Sequence, residues 1–210
     1  MKQITLAILL VFLAITAFTQ HTVFIKHKQY QTSFDTSLKY PKKVYWVVTK
    51  KSLTCITKYP RTNKFIPDPL LPKQTDLYKD YNKSGYDRGH NFTAADAACD
   101  STSMRESFFF SNMTPQHPTV NRGDWKQLEE FTRELSLKYD SVKVWSGSWG
   151  SQSKIGRVTV PTDCWKVIYI VKNKEWMAFH FFNVRSNVLG LKAHEVSIKF
   201  IEKQTGYKFK

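Results

Sequence analysis

Apolar and polar positions along the chain fall into three regimes. Ile4 to Phe18 is an almost unbroken apolar run behind Lys2, and small or polar residues lie at its end (Thr16, Ala17, Thr19, Gln20). His21 to Pro41 is polar and weakly patterned, which predicts a loose lead-in. From Val44 onward the pattern becomes periodic. Short runs rich in Val, Ile and Trp predict strands at Val44 to Val48, Leu53 to Thr57, Phe108 to Ser111, Val142 to Trp149, Arg157 to Val160, Trp165 to Val171 and Trp176 to Val184. Trp125, Leu128, Thr132 and Leu135 recur at spacings of three and four, so Asn121 to Leu137 predicts a helix. A second helix is expected over Ala193 to Gln204, stopped by Gly206. Tyr59 to Ser84 carries Pro60, Pro67, Pro69 and Pro72 and predicts a long loop, a kind of segment that often carries function.

Strands and helices do not alternate regularly, so the expected class is α+β with one domain over residues 44–210, after a segment 1–20 and a lead-in 21–43. The first segment has the pattern of a secretory signal peptide: a positive start, an apolar stretch and small residues after it. It is short for a membrane span, which needs about 20 apolar residues. Cleavage near Thr19 or Gln20 and a secreted or periplasmic destination, with no stable membrane association afterwards, are the expectation. An uncleaved N-terminal anchor is the alternative.

Composition narrows the partners. Lys and Arg total 32 against 17 Asp and Glu, a formal net charge of +15, which favours polyanions: nucleic acid, anionic lipid or acidic polysaccharide. The 41% hydrophobic and 15% aromatic content excludes a disordered chain. Cys55, Cys99 and Cys164 match no zinc spacing. In an oxidising compartment two can pair, and the strand-like surroundings of Cys55 and Cys164 favour that pair.

The chemistry concentrates between Gly85 and Arg133. Asp87-Arg88-Gly89-His90 is followed by Ser111-Asn112-Met113-Thr114-Pro115-Gln116, then by Asn121-Arg122-Gly123-Asp124-Trp125-Lys126-Gln127-Leu128-Glu129. Hydrolysis of a phosphodiester needs a base near neutral pH, donors for the growing phosphate charge, and a hard cation or an acid at the leaving oxygen. His90 suits the first task and Arg88 the second. In an extended segment these two residues, i and i+2, face the same side. Asn121 at a helix start offers a neutral oxygen. Glu129 lies two turns on, within about 80° on the helix wheel, where it can hold waters of a metal's shell. Arg133, one turn further, can reach the same phosphate. Each has a plainer reading: Asn121 as an N-cap, Glu129 and Arg133 as a solvated pair.

The three strings together resemble the DNA/RNA non-specific endonuclease family, in family order and spacing. Arg61, Phe65 and Asp68 resemble the stretch upstream of the catalytic motif, and Asp80-Tyr81 with Ser84-Gly85-Tyr86 resembles its approach. Downstream, Val160-Pro161-Thr162 with Trp165-Lys166-Val167, and Thr205-Gly206 with Phe209, extend the likeness over about Val44 to Phe209. The resemblance implies a ββα-metal (His-Me finger) fold, with a mixed, mainly antiparallel sheet and flanking helices. It implies His90 as general base and Asn121 as the one protein ligand of Mg²⁺, with Mn²⁺ able to substitute. It makes Glu129 the organiser of the metal's water, places Arg88 and Arg133 on phosphate with Arg61 assisting, and gives Asp87 a supporting role. DNA and RNA would be the substrates, bound mainly through backbone phosphates. Asn91-Phe92 and the stretch Thr93 to Asp100 depart from the family pattern, and His117, His180 and His194 match no motif. A catalytically inactive nucleic-acid-binding protein of the same fold is the alternative.

Overall fold

The computed structural model describes residues 21–209; the expected signal segment and its cleavage point lie outside them. In chain order the elements are β1 (Thr22–Lys26), β2 (Tyr30–Asp35), β3 (Tyr40–Thr49), the single turns α1 (Lys50–Leu53), α2 (Pro72–Thr75) and α3 (Tyr78–Tyr81), β4 (Asp87–His90), α4 (Ser101–Ser107), β5 (Met113–Gln116), α5 (Pro118–Arg122) and α6 (Asp124–Tyr139). Then follow β6 (Ser141–Trp149), β7 (Ser153–Ile155), β8 (Val158–Val160), β9 (Asp163–Ile170), β10 (Glu175–Phe182), β11 (Glu195–Val196) and α7 (Ile198–Thr205), with 3-10 turns at Phe110–Asn112 and Leu191–His194.

The main sheet has seven strands in the order β1-β2-β3-β6-β9-β10-β11, every neighbouring pair antiparallel. β9 is buried almost throughout, because both faces of the sheet are covered at that point. On one face Val44, Trp46, Val142, Val144 and Ile168 pack against Trp125, Leu128 and Leu135 of α6. On the other, Trp165 and Val167 pack under Ile201 of α7 and the chain end at Tyr207 and Phe209. A third cluster joins Ile25 and Phe34 to Leu77, Tyr81, Phe110 and Met113. The C-terminal helix starts at Ile198 and not at Ala193, because Leu191–His194 is a 3-10 turn and Glu195–Val196 pairs with β10; it stops where expected, at Gly206, which takes a left-handed φ of 73° and donates its N–H to the Glu202 carbonyl.

Four further expectations are corrected. Residues 21–43 are not a loose lead-in but form β1, β2 and the start of β3, with the inward positions Tyr30, Thr32 and Phe34 buried. Their polar partners on the outward positions masked the alternation. Leu53 to Thr57 is the end of a helical turn and a loop, not a strand; Thr49 caps that turn in a capping box with Ser52. Phe108 to Ser111 is a buried 3-10 turn region. The helix over Asn121 to Leu137 is two helices. The chain breaks at Gly123, where a Cβ would approach the Thr119 carbonyl oxygen to 2.5 Å.

The cysteine expectation also fails. Cys55 bonds to Cys99, and Cys164, which points inward from β9, is buried and free. Among the described residues, no helix is long and apolar enough to cross a membrane.

The bridge closes a chain separation of 44 residues that includes the long loop and β4. Loop-closure entropy for that length corresponds to ~4 kcal/mol in the unfolded-state model. Cys55→Ser combined with Cys99→Ser should therefore lower stability by up to about this amount. Equilibrium urea unfolding of the variant against the oxidised parent measures it.

Candidate functional site

β4 pairs with β5 in antiparallel register, Arg88 opposite Pro115 and His90 opposite Met113. This ribbon is tied to its surroundings by side-chain amides. Asn91 Nδ2 donates to the Asn112 carbonyl at 3.1 Å and to Thr114 Oγ1 at 3.0 Å, and its Oδ1 accepts from Ser146 Oγ of β6 at 2.7 Å. Asn112 answers with its own amide: Oδ1 accepts from the Phe92 N–H at 2.9 Å, and Nδ2 donates to the carbonyls of Phe92 and Ser107, both at 2.8 Å. So the Asn-Phe pair that departs from the family pattern is a buried anchor directly behind His90.

The His90 ring is held edge-on to Phe108, with centroids 5.0 Å apart, and tilted against Phe65 at 5.6 Å. Phe65 is delivered by the long loop, which the Ile66 backbone pins to Phe108 and Phe110 through bonds of 3.3 and 3.2 Å. His90 is 8% exposed, and its Nε2 has no hydrogen-bond partner in the protein. Burial pushes the imidazole down to about 3; the positive charge of Arg61 acts the same way, and a hydrogen bond with the Arg88 backbone opposes both. The ring is therefore neutral at neutral pH, with a free nitrogen facing a cavity.

That cavity, about 460 Å³, is lined by Arg61, Arg88, His90, Asn121, Glu129 and Arg133, along with Arg122 and Lys126. All six expected site residues thus converge. The route differs from the expected helix wheel, because Asn121 ends α5 while Glu129 and Arg133 lie on α6, beyond the break at Gly123. Arg88 and His90 share one side of β4, as their i, i+2 spacing requires. Arg88 lies 5.1 Å over the ring of Phe65 and 5.0 Å from that of Tyr78, and Arg61 lies 5.1 Å over Phe108. Aromatic faces hold both guanidinium groups without consuming their donors on a carboxylate.

Asp87 takes the supporting role. Its carboxylate accepts from Asn121 Nδ2 at 2.9 Å and from Arg122 Nε and Nη2 at 2.8 and 2.6 Å. A carboxylate only accepts, so the Asn121 amide must turn its nitrogen to Asp87 and leave Oδ1 free. Among the described residues no group of three or more His, Cys, Asp or Glu converges as a metal cage. A free amide oxygen and a carboxylate lining one wet cavity fit a hard divalent cation that keeps most of its water.

Two residues of the site were not anticipated. Lys166 of β9 is fully buried; its Nζ has no hydrogen-bond partner and lies 4.4 Å over the Trp125 ring and 5.8 Å from that of Trp46. Asp96 is 4% exposed, accepts from Trp46 Nε1 at 2.9 Å and faces Arg133 Nη1 at 3.5 Å. Arg133 therefore leans on Asp96, not on Glu129 as a solvated pair would. Burial pushes the Glu129 carboxyl up to about 7, relieved by Lys166, aggravated by Asp96, and relieved again by Arg133 and Arg61. Burial likewise raises Asp96 and lowers Lys166. The signal that reveals Lys166 is parity: it shares the inward face of β9 with Cys164, Ile168 and Ile170.

The unmatched histidines have structural partners. His194 Nε2 meets Asp124 Oδ2 at 2.9 Å, and that carboxylate also accepts from the N–H groups of Leu189 and Gly190, which straps the 189–194 turn to the start of α6. His180 stacks on Trp149 and meets Asp163 at 2.6 Å. His117 caps α5.

A folded-state pKa raised from 4.5 to about 7 means that Glu129 favours the folded protein fully below about pH 4.5 and that this contribution is lost as pH rises through 7. Glu129→Gln should accordingly raise the melting temperature of the metal-free protein at pH 8 and change it little at pH 5. The gain should be roughly 2–4 °C per kcal/mol recovered. Calorimetry at the two pH values, in chelator, checks the sign.

Residues 14–210 match the model of the DNA/RNA non-specific endonuclease family. A nuclease of Nostoc sp. is 30% identical over 182 residues, covering 78% of this chain and 65% of that protein. The mitochondrial nuclease 1 of Schizosaccharomyces pombe is 33% identical over 163 residues, covering 70% of this chain and 51% of that protein. The chain spans about half to two-thirds of the length of these relatives. Among solved structures, the EndoG/EndoGI complex, described as showing the mechanism of EndoG inhibition, superposes with a TM-score of 0.80 at 26% identity over 89% of this chain and 84% of that one. The chain belongs to the DNA/RNA non-specific endonuclease family.

Proposed function

We propose that this chain is an endonuclease that hydrolyses phosphodiester bonds in DNA and RNA through their backbones, with His90 as general base and a single divalent cation, Mg²⁺ or Mn²⁺, at Asn121. One observation carries the reading: the unpartnered His90 Nε2 opens on the same cavity as Asn121 and Glu129, ringed by Arg61, Arg88 and Arg133.

A water beside His90 gives its proton to Nε2 while its oxygen attacks phosphorus. The charge that builds on the non-bridging oxygens is met by the guanidinium groups, and the bond to the leaving oxygen breaks. A bound cation supplies Lewis-acid stabilisation of the departing oxygen. Asn121 Oδ1 would be the residue to hold the ion, and Glu129, once ionised, would accept hydrogen bonds from its waters. Burial, and after it the Arg61 charge, make His90 a weak base. A phosphodiester beside Arg61 carries negative charge that offsets it, and so raises the basicity of His90.

Export belongs to the same reading. The apolar run from Ile4 to Phe18 and the Cys55–Cys99 bridge support an oxidising destination.

His90→Ala should lower kcat on plasmid DNA by about 10²–10⁴-fold or more while binding survives, and EDTA should abolish cleavage of both DNA and RNA. Undiminished cleavage by His90→Ala would remove His90 as the base, and no cleavage by the wild type with Mg²⁺ would leave only a nucleic-acid-binding role for this fold. Removing the Lys166 cation should raise the Glu129 pKa further. Lys166→Met should then move the acidic limb of the pH–rate profile upward without moving the alkaline limb, as measured by steady-state kinetics between pH 5 and 9.

A further inference from the structure

A second cavity, larger than the catalytic one at about 690 Å³, opens on the other side of Arg133. It shares Ala95, Glu130 and Arg133 with the catalytic pocket. Its wall is mainly apolar, formed by Leu53, Ala98, Leu137 and the Cys55 end of the disulfide. Lys58, Glu130 and Glu134 provide its charge. The two cavities differ in electrostatics. Around the catalytic pocket stand Arg61, Arg88, Arg122, Lys126 and Arg133 against Glu129 and Glu130. Around the second, Lys58 and Arg133 are balanced by Glu130 and Glu134. A phosphate goes to the first. The second suits a flat, apolar, neutral group with hydrogen-bond donors on its edge.

Resting on the nuclease reading above, we infer that this cavity seats the nucleobase beside the scissile phosphate and that Glu134 selects bases bearing an amino group. Continuity argues for that occupant: a phosphate held by Arg133 on one side leaves its own nucleotide's base to fall across the shared wall. The acceptors argue for the selection. Glu130 is engaged by Lys126 at 3.7 Å, whereas Glu134 has no partner among the described residues. A free carboxylate accepts from the amino groups of adenine, cytosine or guanine and finds no such group on thymine or uracil. Cys55–Cys99 fixes one wall of the cavity, so the subsite is present before substrate arrives.

The test uses single-stranded oligonucleotides with one ordinary phosphodiester in an otherwise phosphorothioate backbone. The base on either side of it is varied among A, C, G, T and an abasic residue. For one of the two sides, the wild type should cleave the amino-bearing bases with a kcat/KM roughly 3–10-fold above thymine, and abasic substrate should fall below thymine. Glu134→Ala should erase the difference between bases. Leu137→Trp, which fills the cavity, should lower every base-bearing substrate to the abasic level, with thermal melting confirming that it folds. Equal kcat/KM for all flanking residues in the wild type, or an unchanged preference in Glu134→Ala, overturns the subsite. Methyl p-nitrophenyl phosphate separates this outcome from failure of the nuclease reading. Wild type and Glu134→Ala should hydrolyse it equally with Mg²⁺, and no cleavage of any oligonucleotide by the wild type would overturn the underlying activity itself.

Discussion

A two-stranded ribbon is marginal in water, and β4–β5 is such a ribbon. It carries Arg88 and His90, so everything at the site depends on what holds it down. The hold is polar: Asn91 and Asn112 between them satisfy the Phe92 and Asn112 backbones, Thr114, and Ser146 of the main sheet. Buried amides that make all these bonds fix a single register, because any slip leaves donors unpaired in a dry interior. A hydrophobic contact at the same place would be less directional. The β5 end is held in the same manner. Asn183 Nδ2 donates to the carbonyls of Pro115 and Pro161, and its Oδ1 accepts from the His117 N–H.

The amide clamp fixes position; a second constraint fixes charge. Lys166 and Asp96 are buried beneath α6, and Glu129 and Arg133 reach from them to the cavity. Isolated buried charges of this kind are costly, and a pair seldom recovers the whole cost. The cluster persists because its members oppose one another: two acids and two cations, with Trp46 donating to Asp96 and the Trp125 face beneath Lys166. Its consequence for chemistry is specific. Glu129 stays near the balance between its two forms, and Arg133 is held by Asp96 at 3.5 Å, loosely enough to turn its remaining donors toward the cavity. The packing of α6 on the sheet and the electrostatics of the site are one arrangement seen from two sides.

What was readable in advance follows the same division. The regular elements β6, β9, β10 and α6 stood out, the strands by runs rich in Val, Ile and Trp and α6 by its 3.6-residue repeat. The convergence of His90, Arg88, Asn121, Glu129, Arg133 and Arg61 was legible only through joint spacing and family likeness. The helix wheel used to connect Asn121 with Glu129 was wrong, since Gly123 breaks the helix; the two residues meet because α5 and α6 pack together. β1 and β2 were missed because polar residues occupy their outward positions. The disulfide was missed because pairing depends on which loops the fold brings together, and local pattern around Cys55 says nothing of that. Asp96 and Lys166 were hidden for a related reason: their importance lies in contacts between β3, α6, β9 and the 93–100 turn, which no local window contains.

Arginine placement suits the site to a phosphate backbone. Arg61 and Arg88 rest on Phe108, Phe65 and Tyr78; Arg61 Nε donates to Asn63 Oδ1 at 2.7 Å, and the terminal nitrogens of both guanidinium groups have no hydrogen-bond partner among the described residues. A fork left free in this way is matched to phosphate oxygens, and phosphates are the same at every nucleotide. Arg122 differs: Asp87 takes two of its donors, and the same carboxylate turns the Asn121 amide. That guanidinium is spent on aligning the metal-ligand candidate and not on substrate. Arg61 and Arg88, over aromatic rings, thus remain available to a backbone, Arg122 serves the geometry of the site through Asp87, and Arg133, beside Asp96 at 3.5 Å, does part of each.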